Sequence, residues 1–145
     1  MPIIGFHIRF ISAVKKSLPK GRIDVNSTPS IVSVNKTQIG FKEKEDALDI
    51  GFNFVTKYEP DLGEIKIEGN VMYVGSKMKE TLNSWKKEKK LAPEVDVEVK
   101  NFIFRKCLTI GINLSENMNM PPPLMFPTVV LNKKEKNESD MRYIG

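Results

Sequence analysis

The sequence predicts an α+β domain, in which a four-stranded antiparallel sheet with a long crossover between its first two strands precedes a short helix and a long one. Three observations predict it. Apolar and polar residues alternate in four separate stretches before Gly75, as half-buried strands require. Beyond Gly75 the apolar period changes to that of a helix. With 145 residues the chain has room for one core and not for two.

The first strand runs from Gly5 to about Val14, with Phe6, Ile8, Phe10, Ser12 and Val14 on one face and His7, Arg9, Ile11, Ala13 and Lys15 on the other. Turn residues recur in Ser17-Leu-Pro-Lys-Gly-Arg and in Asn26-Ser-Thr-Pro-Ser, so Lys16 to Ser30 reads as one long connection. A second, more polar strand follows from Ile31 to Ile39. The charged run at 42–46 breaks the pattern before Leu48, Ile50, Phe52, Phe54, Thr56 and Tyr58 line one face of a third strand. Glu59-Pro-Asp-Leu-Gly has turn composition, and Glu64 to Val74 alternates again, which predicts an antiparallel hairpin of strands three and four. Ile11, Val32, Val34, Val55, Met72 and Val74 fall on the nominally polar side, so either a second sheet packs there or bulges shift the register.

Ser76 is the expected N-cap of the short helix, whose Met78, Leu82 and Trp85 share a face and which ends near Leu91-Ala92. Pro93 suits the first turn of the long helix, which extends to about Met118. Val95, Val97 and Val99 alternate with Asp96 and Glu98, so residues 94–99 suit a strand equally well and the helix then begins near Lys100. Apolar residues occupy most of this helix's circumference. One sheet covers one side only, so a second subunit is expected over the other.

The composition narrows the function. There are 23 Lys+Arg against 18 Asp+Glu, a net charge of +5, and no apolar run approaches the roughly 20 residues that cross a bilayer. An integral membrane protein is excluded, no signal peptide is read at the N-terminus, and the lone Cys107 allows no intramolecular disulfide or Cys-built zinc site, which fits a cytoplasmic protein. The single histidine, His7, lies in the first strand's alternating run, and no glycine-rich phosphate cradle is present. Acidic residues such as Glu43, Asp49, Glu64, Glu68 and Glu98 alternate with apolar or basic neighbours, as solvent-facing positions do. The expectation is a non-enzymatic protein without cofactor or metal.

The stretch Asn117-Met-Asn-Met-Pro-Pro-Pro-Leu-Met-Phe-Pro-Thr-Val-Val-Leu is held extended by its prolines, so its apolar side chains must lie against the body or a partner. Four strands with a long first crossover, a short helix, a long helix and this Pro-Pro-Leu-x-x-Pro arm together resemble the SecB family of export chaperones, over about Gly5 to Leu131. Phe6-His-Ile-Arg-Phe-Ile is similar to the strand that opens that fold, and Pro122-Pro-Leu-Met-Phe-Pro-Thr-Val to its arm. The resemblance implies an ATP-independent holdase, a homotetramer built as a dimer of dimers that keeps unfolded polypeptides soluble in long hydrophobic grooves. In that family the grooves involve the crossover and second strand, here Lys16 to Ile39. The family's bacterial members are acidic and dock to the SecA motor; this chain is basic, which puts a SecA partnership in doubt and points outside the standard export route, to an archaeal member or one beside a toxin–antitoxin pair. Residues 1–131 are read as the domain and the polar stretch 132–145 as a disordered tail.

Candidate polypeptide contacts are Leu18, Ile23, Val25, Ile31, Val32, Val34 and Ile39, with Met118, Met120, Leu124, Met125 and Phe126 as a second group. Ordinary core or subunit-interface packing competes with that role at each. A different class is nucleic-acid binding: Lys77, Lys79, Lys86, Lys87, Lys89 and Lys90 make the short helix strongly basic beside Trp85, which could stack a base. A non-catalytic subunit of a larger complex is the third reading.

Overall fold

The structure is a computed structural model that describes residues 3–18, 21–124, 127–129 and 141–143. Four strands, β1 (Ile3–Lys15), β2 (Asp24–Ile39), β3 (Glu45–Glu59) and β4 (Gly63–Tyr73), are followed by helices α1 (Met78–Glu88) and α2 (Pro93–Asn117). The sheet order is β1-β4-β3-β2 and every neighbouring pair is antiparallel. The hairpin expected of strands three and four is present, with Tyr58 opposite Gly63. Two short strands, β5 (Pro127–Val129) and β6 (Met141–Tyr143), pair with each other. The expected tail thus contains one of these strands, and its residues 132–140, 144 and 145 lie outside the described residues.

The first two strands occupy opposite edges of the sheet, so the chain must cross β4 and β3 to pass between them. That crossover is shorter than expected, because β2 begins at Asp24 and not at Ile31. Asn26-Ser-Thr-Pro-Ser, read as a turn, is strand: its residues alternate between exposed and half-buried, and an edge position tolerates Pro29 because one side of the strand needs no ladder donor.

Register shifts account for apolar residues on the nominally polar side of β1 and β2. A bulge between Ile8 and Phe10 brings Ile11 opposite buried Ile67, and one between Ile31 and Ser33 brings Val34 opposite buried Ile50. Val32, the extra residue, is left exposed. Val55 and Met72 remain on the outer face, half-buried.

The core lies between the sheet and the helices. Leu48, Ile50, Phe52, Phe54, Thr56 and Tyr58 of β3 alternate inward with Ile65, Ile67, Val71 and Tyr73 of β4. The structure resolves the ambiguity at 94–99 in favour of helix. Val95, Val99, Ile103, Cys107, Gly111 and Ser115 form a buried row at a strict spacing of four, while Val97 is exposed. Such a row winds slowly around a helix, so α2 lies obliquely over the sheet and reaches all four strands. Phe102 meets Phe6 of β1 edge-on at 5.6 Å and Phe104 meets Phe54 of β3 at 5.6 Å, fixing α2 from both flanks.

At the end of α2, Asn119 takes φ 53° and the Met120 and Asn119 amides bond Ser115 and Glu116 carbonyls, a Schellman closure that turns the chain back. The arm then returns along the helix. A Cβ at Gly111 would stand 3.2 Å from Pro123 Cγ, so the missing side chain is what admits the arm. Within one chain, then, the arm covers α2 at Gly111, near the end of its buried row. At α1 the N-cap is Lys77 and not Ser76, with no side-chain capping bond. Lys77 instead reaches Glu80 and Glu94, each at 3.5 Å, joining the starts of the two helices.

Candidate functional site

Three cavities are met in turn at Ile23, just before β2, and at Ile31 and Lys36 within it. The first, about 390 Å³, is lined by Ser17, Leu18, Ile23, Pro60 and Leu62. The second, about 480 Å³, is lined by Ile31, Trp85, Lys89, Lys90, Leu91, Pro93, Asp96 and Lys100. Lys36, Asp46, Leu48, Met78, Lys79, Leu82 and Asn83 line the third, about 300 Å³. Ile31 and Lys36 stand opposite the buried Phe52 and Leu48, so both belong to the helix-covered side of the sheet. From Ile23 to Lys36 is thirteen residues of mostly extended chain, about 40 Å at ~3.3 Å per residue.

Each cavity has a local cause. At the first, the crossover is clasped to the β3–β4 turn: the Lys16 and Ser17 amides donate to the Leu62 carbonyl at 2.7 and 3.3 Å, and Lys16 Nζ pairs with Asp61 at 3.2 Å. Leu18 projects from this clasp, 70% exposed. The second opens where α1 ends and α2 begins. Lys89 closes α1 in the left-handed conformation with its amide on the Trp85 carbonyl, and its ammonium lies 5.6 Å from the centre of the Trp85 ring. Asp96 pairs with Lys100 at 3.2 Å across one helical turn. In the third, Lys36 and Asp46 pair at 3.4 Å beside the apolar Met78 and Leu82.

The structure therefore brings Leu18 and Ile23 together in one cavity and places Ile31 in the next, with half-buried Val25 on the strand between them. Val32 points away as the bulged residue, and Ile39 is half-buried at the far end of β2. Val34 and Met120 are buried in the core, Met120 against Gly63, and offer no surface. Met118 is half-buried at the end of α2, Leu124 is half-buried in the arm, and Met125 and Phe126 lie outside the described residues. The basic residues of α1 differ in their surroundings. Lys77 is held by two carboxylates, which raise its pKa, Lys79 belongs to the third cavity, and Lys86 and Lys87 sit in the helix's last turn, where they offset its dipole. Lys89, Lys90 and Trp85 converge on the second cavity.

Sequence reasoning did not find Leu62, Leu91 or Lys100, which reach the cavities from a turn, an interhelical link and the second helix. No local pattern marks them. It also passed over the outer edge of β1, where Ile4, Phe10, Ile11 and Val14 are all exposed. The available signal was apolar residues on both faces of a first strand.

The outer sheet face carries a polar chain in which Arg9 Nε donates to Asn70 at 2.6 Å and the Asn70 amide donates to Asp49 at 2.5 Å. Cys107 is fully buried in α2, with its thiol pushed up to about 12 by desolvation, the state of a packed residue and not of a nucleophile. Among the described residues no helix is long and apolar enough to cross a membrane and no cluster of ligating side chains could hold a metal ion.

No family model matches the sequence, and no curated protein matches it. Among solved structures, the chain is similar to a Mycobacterium tuberculosis SecB-like chaperone in complex with a ChAD peptide from the HigA1 antitoxin. The TM-score is 0.44 and the identity 11%, over 92% of this chain and 91% of that one.

Proposed function

We propose that this chain is a non-enzymatic, ATP-independent holdase that binds extended apolar segments of unfolded polypeptides along β2. The observation that carries this reading is the line of three cavities between the β2 edge and the elements packed beside it. Unfolded clients have no common shape, but every extended segment has the same repeat along its backbone. A row of shallow sites, each with apolar side chains in its wall, accepts such segments at intervals along the strand. β2 is an edge strand, so its outward amides and carbonyls can also bond a client's backbone.

Leu18, Ile23, Val25 and Ile31 are the contacts assigned to clients, with Leu62, Trp85 and Leu91 completing the walls. The second free edge, β1, is assigned to self-association: its exposed Ile4, Phe10, Ile11 and Val14 give a homo-oligomer an apolar seam distant from β2 across the sheet. A tetramer built from such pairs is the assembly expected, in the cytoplasm and without a SecA partner.

The test is suppression of aggregation of a chemically unfolded model protein, without nucleotide and at varied stoichiometry, with mass determined by light scattering on the same sample. Suppression by an oligomer supports the proposal. No suppression at molar excess refutes it.

A further inference from the structure

The three cavities differ in charge. The first is lined by no charged side chain, and in the third Lys36 and Asp46 pair with one another and Lys79 leaves a lining charge of 2 − 1 = +1. The second gathers Lys89, Lys90 and Lys100 against the single carboxylate of Asp96, a lining charge of 3 − 1 = +2. Two acids at the start of α2 are already engaged. Asp96 is paired with Lys100 at 3.2 Å, and Glu94 in the same turn is drawn to Lys77 at 3.5 Å. α2 also begins here, with Pro93 at its first position lining the cavity, so the positive end of the helix dipole adds to the lysines' field. Beside these cations lie the apolar surfaces of Ile31, Leu91 and Trp85.

We infer that this second cavity is a subsite for a client carboxylate next to an apolar side chain, so that the groove selects extended acidic-apolar segments. The inference rests on the holdase reading and adds the chemical class of client. Lys89 and Lys90 supply the charge, and Trp85 supplies the surface on which the apolar neighbour lies. The first cavity, eight residues back along the chain at Ile23, takes an uncharged apolar anchor about 26 Å away at ~3.3 Å per residue. A preferred segment therefore has an apolar end and, roughly eight residues on, an aspartate or glutamate beside a large apolar residue.

Trp85 is the only tryptophan, so its fluorescence reports on this cavity alone when Trp-free peptides are added. Three dye-labelled peptides of about twelve residues, matched except for a Leu-Asp-Asp, Leu-Asn-Asn or Leu-Lys-Lys centre, are titrated by anisotropy, and unlabelled copies by Trp85 emission. The Asp peptide is expected to bind about tenfold more tightly than the Asn peptide and to move Trp85 emission, the Lys peptide to bind more weakly still, and the differences to shrink with salt. In K89Q/K90Q the Asp peptide loses its advantage and binds no more tightly than the Asn peptide does to the same variant.

Equal binding of all three peptides overturns the inference and leaves the holdase reading standing. Binding of none by either readout overturns both. A single-stranded oligonucleotide that binds more tightly than the Asp peptide, and loses affinity in K89Q/K90Q, overturns it in favour of nucleic acid.

Discussion

Replacing Leu18 by serine separates binding from folding, because this side chain is 70% exposed and packs little in the free protein. Full burial of a leucine is worth about 1.5–3 kcal/mol, and seven-tenths of that, the part left for a client to cover, is about 1–2 kcal/mol. At about 1.4 kcal/mol per factor of ten, client affinity should fall about 5- to 30-fold. Stability should change by less than about 0.5 kcal/mol, as for other surface substitutions. The assay is anisotropy of a labelled apolar peptide, paired with urea denaturation of each variant. Val97→Ser is the control, since Val97 is 61% exposed on α2 yet lines none of the three cavities. Affinity within twofold of wild type in Leu18→Ser, or an equal loss in Val97→Ser, would refute the reasoning.

Tyr58→Phe should stabilise the protein by about 1 kcal/mol, or roughly 3 °C in melting temperature, because the buried Tyr58 hydroxyl has no hydrogen-bond partner among the described residues. A lower melting temperature for the phenylalanine variant would show that this hydroxyl is satisfied. At Gly111, alanine needs Pro123 to yield only a few tenths of an ångström and gains helix propensity, whereas leucine must expel the arm. Limited chymotrypsin digestion should therefore cut at Leu124 faster in Gly111→Leu and not in Gly111→Ala. Burial holds Cys107 protonated up to about 12 against 9.0 and Tyr58 up to about 12 against 10.0, so only the unfolded chain loses these protons above about pH 9. Their stabilisation is complete below pH 9 and declines as pH rises toward 12, by up to about 1.4 kcal/mol per pH unit for each group. Urea midpoints from pH 8 to 11 should fall, and fall less in Cys107→Ala; equal slopes would count against the burial argument.

The sheet core was legible because β3 and β4 are buried on their inner face and alternate without interruption from Leu48 to Tyr73. β2 was legible only from Ile31 onward. Its first half alternates as well, but with Asn26, Ser27, Thr28 and Pro29, whose composition signals a turn and whose strand conformation depends on pairing with β3, a long-range contact. Val95, Val97 and Val99 suit a strand by spacing, and packing decides otherwise, since a row at intervals of four from Val95 to Ser115 buries only the first and third. The bulges at Arg9 and Val32 were visible as apolar residues on the wrong face, though not as bulges until the partner strands fixed the count. Of the site, the apolar positions on β2 and the crossover could be named. Their grouping could not, because each cavity is closed by residues distant in sequence: Leu62 for Leu18, and Trp85, Leu91 and Lys100 for Ile31. Val34 and Met120 look as available as their neighbours in sequence and are core residues by register and by the α2 closure.

Position-resolved photocross-linking tests most directly whether clients lie along β2. A photoreactive phenylalanine analogue placed singly at Leu18, Val25, Lys36, His7 or Val97 is exposed to an unfolded client during aggregation suppression. The groove predicts strong cross-links from Leu18, Val25 and Lys36 and weak ones from His7 on β1 and Val97 on α2. Cross-links confined to His7 and Val97, or equal at all five positions, would contradict a client groove on this edge of the sheet.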